Sequence, residues 1–122
     1  MTSVIRINTD GSGASGLEPV SFVPAEAILA GVANEKGESH YETKDGSIVI
    51  GTWESTPYAE ILTYPATTET VFVLSGKVAI TEANGALEVF EAGDAYVLPK
   101  GFSGRFEVLE TLRKIYILVS DK

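Results

Sequence analysis

Past residue 39 the chain alternates apolar and polar side chains in short runs, each closed by a turn signal. "HYETK" leads to Asp45-Gly46, "SIVIGTW" follows, and "YAEILTY" stops at Pro65. "ETVFVLS", "KVAIT", "ALEVFE", "DAYVLP", "SGRFEVLE" and "TLRKIYILV" complete the series. A period of two sends successive side chains to opposite faces of a strand. Asn84-Gly85 is a strong signal for a two-residue hairpin turn. A run of about eight or nine short strands without a helix predicts an antiparallel sandwich or barrel.

The alternation also assigns faces. In "SGRFEVLE", Gly104, Phe106 and Val108 are expected to point inward, with Ser103, Arg105 and Glu107 toward solvent. In "KVAITE", Val78 and Ile80 form one apolar face. "SIVIGTWES" carries apolar residues on both faces, as a strand covered on both sides does. In "TLRKIYIL", Lys114 and Tyr116 share a face with Leu112 and Leu118, while Arg113, Ile115 and Ile117 share the other. Each face carries a charge, so periodicity alone does not choose between them.

Residues 1–38 read differently, being rich in Gly, Ser, Ala and Pro. They are expected to form an irregular N-terminal arm, lying over a barrel of residues 39–122 or exchanged with a second subunit. One short helix is expected at 25–31 ("AEAILAG"), ended by Gly31. "GSGASG" fits G-x-G-x-x-G through Gly11, Gly13 and Gly16. A dinucleotide loop must open a helix directly afterwards, and Pro19 and Pro24 obstruct one. A flexible linker is the expectation there.

Composition narrows the function classes. At 122 residues the chain is long enough for one domain with a real core. There are no cysteines, which excludes disulfides, thiolate metal sites and thiol nucleophiles. A formal charge of -8 argues against nucleic acid and against anionic membrane surfaces. The start lacks a basic region followed by an apolar one, so no signal peptide is expected and the cytoplasm is the default location.

Two stretches carry a resemblance. Glu69 is followed by "TVFVLS" and Gly76; Gly93 is followed by "DAYVL", Pro99-Lys100-Gly101, "FS" and Gly104. These resemble the two motifs of the cupin family, within the RmlC-like superfamily. "GTWESTP", "YPATTETVFVLSGKV", "AGDAYVLPKGFSGRFEVLE" and "RKIYI" further resemble the small cupins related to ethanolamine-utilisation protein Q and, more distantly, to ureidoglycine aminohydrolases. The resemblance implies an all-β double-stranded β-helix, a jelly-roll barrel, that is usually a homodimer.

The cupin metal site uses two histidines, a glutamate and a third histidine. Here the first two places, counted back from Glu69, hold Leu62 and Tyr64 or Thr63 and Pro65, and the last holds Gly104. One carboxylate cannot hold a transition metal tightly, so no metal and no other cofactor is expected. The sole histidine, His40, lies outside both motifs and is expected on the surface or on an edge strand.

What remains is Glu69 pointing into the barrel, where a lone buried carboxylate must neutralise or find a partner. The subfamily resemblance includes "RKxY", which turns Lys114 and Tyr116 toward the cavity. A Glu69–Lys114 pair beside Tyr116 is then either an acid/base group or a structural pair filling the space a metal once needed. Trp53, Tyr64 and Phe106 are expected in or beside the cavity wall, as core or as pocket. Tyr58, after Pro57, is expected to rim the opening, and Glu54-Ser55-Thr56 is read as strand and turn. Glu69 is the one carboxylate expected inside, so paired catalytic acids are not.

The leading expectation is therefore a metal-independent barrel that binds a small polar molecule, as a sensor or accessory module. The second is a metal-free lyase, isomerase or hydrolase using Glu69 with Lys114 or Tyr116. The third is a dimeric assembly protein.

Overall fold

Two long strands organise the molecule. A computed structural model describes residues 2–9 and 17–121, so the "GSGASG" reading at 11–16 lies outside the described residues. Strands β1 (Glu18–Pro19), β2 (Ile28–Gly31), β3 (Glu35–Glu42), β4 (Ile48–Ser55) and β5 (Tyr58–Thr63) come first. β6 (Thr67–Glu82), β7 (Leu87–Glu91), β8 (Ala95–Leu98) and β9 (Ser103–Ser120) follow. Every pairing is antiparallel.

β6 and β9 each serve two sheets. The second half of β9 pairs with β4 and with the first half of β6, and β3, β1 and β8 extend that sheet. The first half of β9 pairs with β5 and with the second half of β6, and β2 and β7 extend the other. Here the strands read separately as "ETVFVLS" and "KVAIT" are one element, as are "SGRFEVLE" and "TLRKIYILV". The register slips between Val73 and Val78, where β6 bends from one sheet into the other. Gly76 sits in that bend at φ 87°, and a β-carbon there would collide with the Thr111 carbonyl. Only glycine meets both demands.

The inward faces match the alternation. Phe106, Val108, Val78 and Ile80 are buried, and Val71, Val73, Leu98 and Leu112 close the space between the sheets. Trp53, Tyr58 and Phe106 pack with ring centroids 6.2–6.4 Å apart, joining β4 of one sheet to β5 and β9 of the other. Fully burying an aromatic ring of this size contributes roughly 1.5–3 kcal/mol. The fold is an all-β jelly roll, the architecture that the resemblance implies.

The leader differs from its expected form. A single 3-10 turn covers Ala25–Ala27, and residues 28–31 are strand β2, paired to β5. The helix expected at 25–31 gives way because β5 offers an open edge, and pairing to it satisfies more backbone groups than one isolated helical turn. The boundary drawn at residue 38 falls inside β3, and residues 18–19 already pair with that strand.

Candidate functional site

β4, β5, β6 and β9 direct their inward side chains into a cavity of about 460 Å³, whose lining reaches solvent at the exposed residues Phe22, Pro24 and Glu42, taken as its mouth. Trp53, Tyr64, Glu69, Phe106, Lys114 and Tyr116, the six residues singled out from sequence, all line it. Lys114 and Tyr116 therefore occupy the inward face of β9. The Tyr116 ring lies across Gly51 on β4, where any side chain would occupy the same space.

At the floor, the Lys114 ammonium donates to Oε2 of Glu69 at 2.9 Å. The Tyr64 hydroxyl donates to Oε1 of the same carboxylate at 3.1 Å. Glu69 is 2% exposed and Lys114 6%. The ammonium also stands 4.9 Å from the centre of the Trp53 ring and 5.3 Å from that of Phe106. A buried ion pair stands only when its remaining valences are satisfied, and here the phenol and the two ring faces do so. Burial, then the Glu69 charge and hydrogen bond, push the Tyr64 hydroxyl far above the usual phenol range.

Two further carboxylates enter that the sequence reading did not place. Glu60, on β5, is 5% exposed and lines the cavity. It accepts a hydrogen bond from the Tyr58 hydroxyl through Oε2. Burial pushes its carboxyl above the ordinary carboxylate range, against the downward pull of the Tyr58 hydrogen bond and of Lys114. Burial and then the Glu60 contact raise the Tyr58 hydroxyl well out of its ordinary range. Tyr58 is thus buried in the wall at the start of β5, not at the rim. The signal was available in "YAEILTY": Tyr58, Glu60, Leu62 and Tyr64 alternate onto one face, so an inward Tyr64 implies an inward Glu60.

The second is Glu35, on β3. Its carboxylate accepts the Trp53 indole N–H at 3.0 Å and the backbone N–H groups of Phe22 and Val23 at 3.0 and 3.2 Å. One buried side chain thereby ties the segment at the cavity mouth to the cavity wall. No local pattern in the leader reveals this, because its partners lie 12 to 18 residues away.

The residues present do not fit the metal of the cupin pattern. Both oxygens of Glu69 are engaged, and the expected histidine places hold Leu62, Tyr64 and Gly104. Gly104 has no space for a ligand: a β-carbon there would meet the Thr81 carbonyl and come within 2.8 Å of the Phe102 ring. His40 is on β3 and is not among the cavity residues; its Nε2 lies 2.7 Å from the Thr52 hydroxyl. Its side chain is only 6% exposed, so it is packed against the barrel wall rather than displayed on the surface.

Comparison with known proteins places this arrangement. Residues 42–116 match the EutQ-like cupin domain. Ethanolamine-utilisation protein Q from Salmonella typhimurium LT2 is 22% identical, with a TM-score of 0.63 over 73% of this chain and 72% of that one. The EutQ protein of Clostridium difficile is 21% identical, with a TM-score of 0.62 over 74% of this chain and 65% of that one. A protein of unknown function from Pseudomonas syringae pv. tomato DC3000 is 21% identical, with a TM-score of 0.77 over 84% of this chain. This chain spans 44% of that protein's length. At these identities the likeness concerns the fold. No curated protein matches the sequence. The matched domain covers more than half of the residues, including both motif glycines, and the chain belongs to the EutQ-like cupin family.

Proposed function

We propose that the barrel binds a small organic molecule in the cavity between its two sheets, without a metal, as a sensor or accessory module. The observation that carries this reading is the convergence of buried Glu60, Glu69 and Lys114 on an otherwise largely apolar space of about 460 Å³. Apolar pockets with a few converging polar groups are the usual form of a ligand site. The Glu69–Lys114–Tyr64 network braces the floor, and Glu60 supplies the group that meets the ligand. A thermal-shift screen of small amines, carboxylates and sugars tests it, since a ligand held by the native state alone raises the melting temperature. No shift across such a collection rejects the reading.

The acid/base alternative is favoured by one observation, the burial-raised Glu60 carboxyl beside the Tyr58 hydroxyl. It assigns proton transfer to Glu60 and leaves Glu69 and Lys114 as its support. Turnover of any bound compound that survives Glu60→Gln rejects that assignment.

A second copy of this chain is the proposed macromolecular partner. Phe72 and Val97, exposed on adjoining strands β6 and β8, are the side chains it would cover. Phe72→Glu is then expected to convert a sedimenting dimer to single chains. Among the described residues no helix is long and apolar enough to cross a membrane.

A further inference from the structure

The Lys114 ammonium is a cation the chain supplies to its own cavity, and its surroundings show how this cavity holds one. Glu69 offers a carboxylate oxygen, the Tyr64 phenol occupies the other oxygen, and two aromatic faces flank the charge. Glu60, on the opposite sheet, repeats these parts. The Tyr58 phenol occupies its Oε2, and Phe106 is its partner on the neighbouring strand. Oε1 of Glu60 has no hydrogen-bond partner among the described residues, and the side chain lines the cavity while 5% exposed. The second arrangement repeats the buried carboxylate and its phenol, lines the same aromatic cavity, and holds no cation of its own.

We infer that the ligand is a small organic ammonium with an apolar body, whose charged nitrogen pairs with Glu60. This rests on the small-molecule reading above and adds to it the ligand's charge and the residue that anchors it. Glu60 and Glu69 line the cavity with one ammonium, that of Lys114, and it is already bonded to Glu69. Glu42 stands at the mouth. An anion entering this space would meet carboxylates with no free cation to pair with. A neutral ligand would leave Glu60 without its counter-charge. An ammonium is stabilised both by the carboxylate and by the ring faces of Trp53, Tyr58 and Phe106, which repay its lost hydration. The net charge of -8 draws the same ligand toward the mouth.

Burial raises the Glu60 carboxyl, and a cation held beside it would pull it back down. The groups acting on it are Tyr58 on its own strand, Lys114 on β9, Glu69 on β6 and Glu35 on β3. Binding a permanently charged ammonium should therefore release a proton and tighten as pH rises.

Trp53 is the one tryptophan and stands in the cavity wall, so its fluorescence reports occupancy directly. The full chain is titrated with benzylamine, benzyl alcohol and benzoate, with isothermal titration as a second readout. Benzylamine is expected to bind at least tenfold more tightly than either other probe, and Glu60→Gln to abolish that preference. Should the variant fail to fold, the charge series on the unmodified protein decides. Equal or tighter binding of benzyl alcohol or benzoate overturns the cation assignment and leaves the small-molecule reading standing. A preference for benzylamine that survives Glu60→Gln overturns Glu60 as the anchor. No binding of any probe by either readout overturns the proposal, while the broader reading stands or falls on the wider thermal-shift collection.

Discussion

Lys114 and Glu69 meet at 2.9 Å across 45 residues of sequence, and both are almost completely buried. β9 and β6 carry them, paired so that Lys114 lies opposite Val73 and Glu69 opposite Leu118. The salt bridge is therefore a diagonal across the sheet's inner face. Such a contact fixes the register of the two strands that join both sheets.

Removing either partner should strand a charge in the barrel. Lys114→Met and Glu69→Leu are each expected to cost about 3–5 kcal/mol, while the double variant recovers most of the loss. Urea unfolding of the four proteins measures the coupling. Additive single losses would show that the two charges are stabilised independently.

The Gly104→His substitution restores the residue type the cupin pattern places there. It is expected to destabilise the fold by about 1–3 kcal/mol or more, since the Thr81 carbonyl and the Phe102 ring occupy the space. Metal analysis of the purified variant should find no stoichiometric transition metal. A stable, metal-loaded Gly104→His protein would contradict this account of the cavity.

Glu35→Ala removes the acceptor of three hydrogen bonds at once. Each hydrogen bond to a charged group contributes about 1.5–3 kcal/mol, so the loss of stability should exceed that of an ordinary surface change. Release of residues 22–24 from the mouth should also shift Trp53 emission to the red and raise its quenching by acrylamide. Unchanged quenching would mean that the segment is held by its apolar contacts instead.

Glu60 predicts a pH dependence whose sign is fixed. Its folded carboxyl is raised above the ordinary value of 4.5, so the native state binds that proton more tightly than the unfolded chain does. The resulting stabilisation is fully present below 4.5 and is lost as pH rises through the folded value. Denaturant midpoints measured from pH 4 to pH 8, on the order of ten points, should therefore fall less steeply in Glu60→Gln than in the unmodified protein. Identical slopes would show that Glu60 titrates as it does in the unfolded chain.

How much of this was legible in the chain depends on the distance over which each feature is decided. Strand positions, a turn at Asn84-Gly85, and the inward faces of Phe106, Val108, Val78 and Ile80 follow from alternation and turn chemistry, although the loop holds three residues, 83–85, rather than the two expected. These are local, and the sequence alone determined them. Glu69 and Gly76 were readable as parts of a family pattern, although the steric demand at Gly76 comes from Thr111, far along the chain.

Only the tertiary structure decided the rest. Residues 28–31 are a strand because β5 presents an edge to them, which outweighs a weak local helix preference. Lys114 could face either way by periodicity, and the pairing of β9 with both β4 and β6 turned it inward. Glu35 looks like an ordinary surface acid until three backbone and indole donors close around it, and although alternation with Tyr64 implies an inward Glu60, its phenol partner comes only from the fold. Gly104 reads as a lost ligand in the sequence, whereas in the fold it is a place where Phe102 and Thr81 leave no room for one. A local pattern states which side chains share a face. It cannot state what faces them, because that partner is brought in by strands tens of residues away.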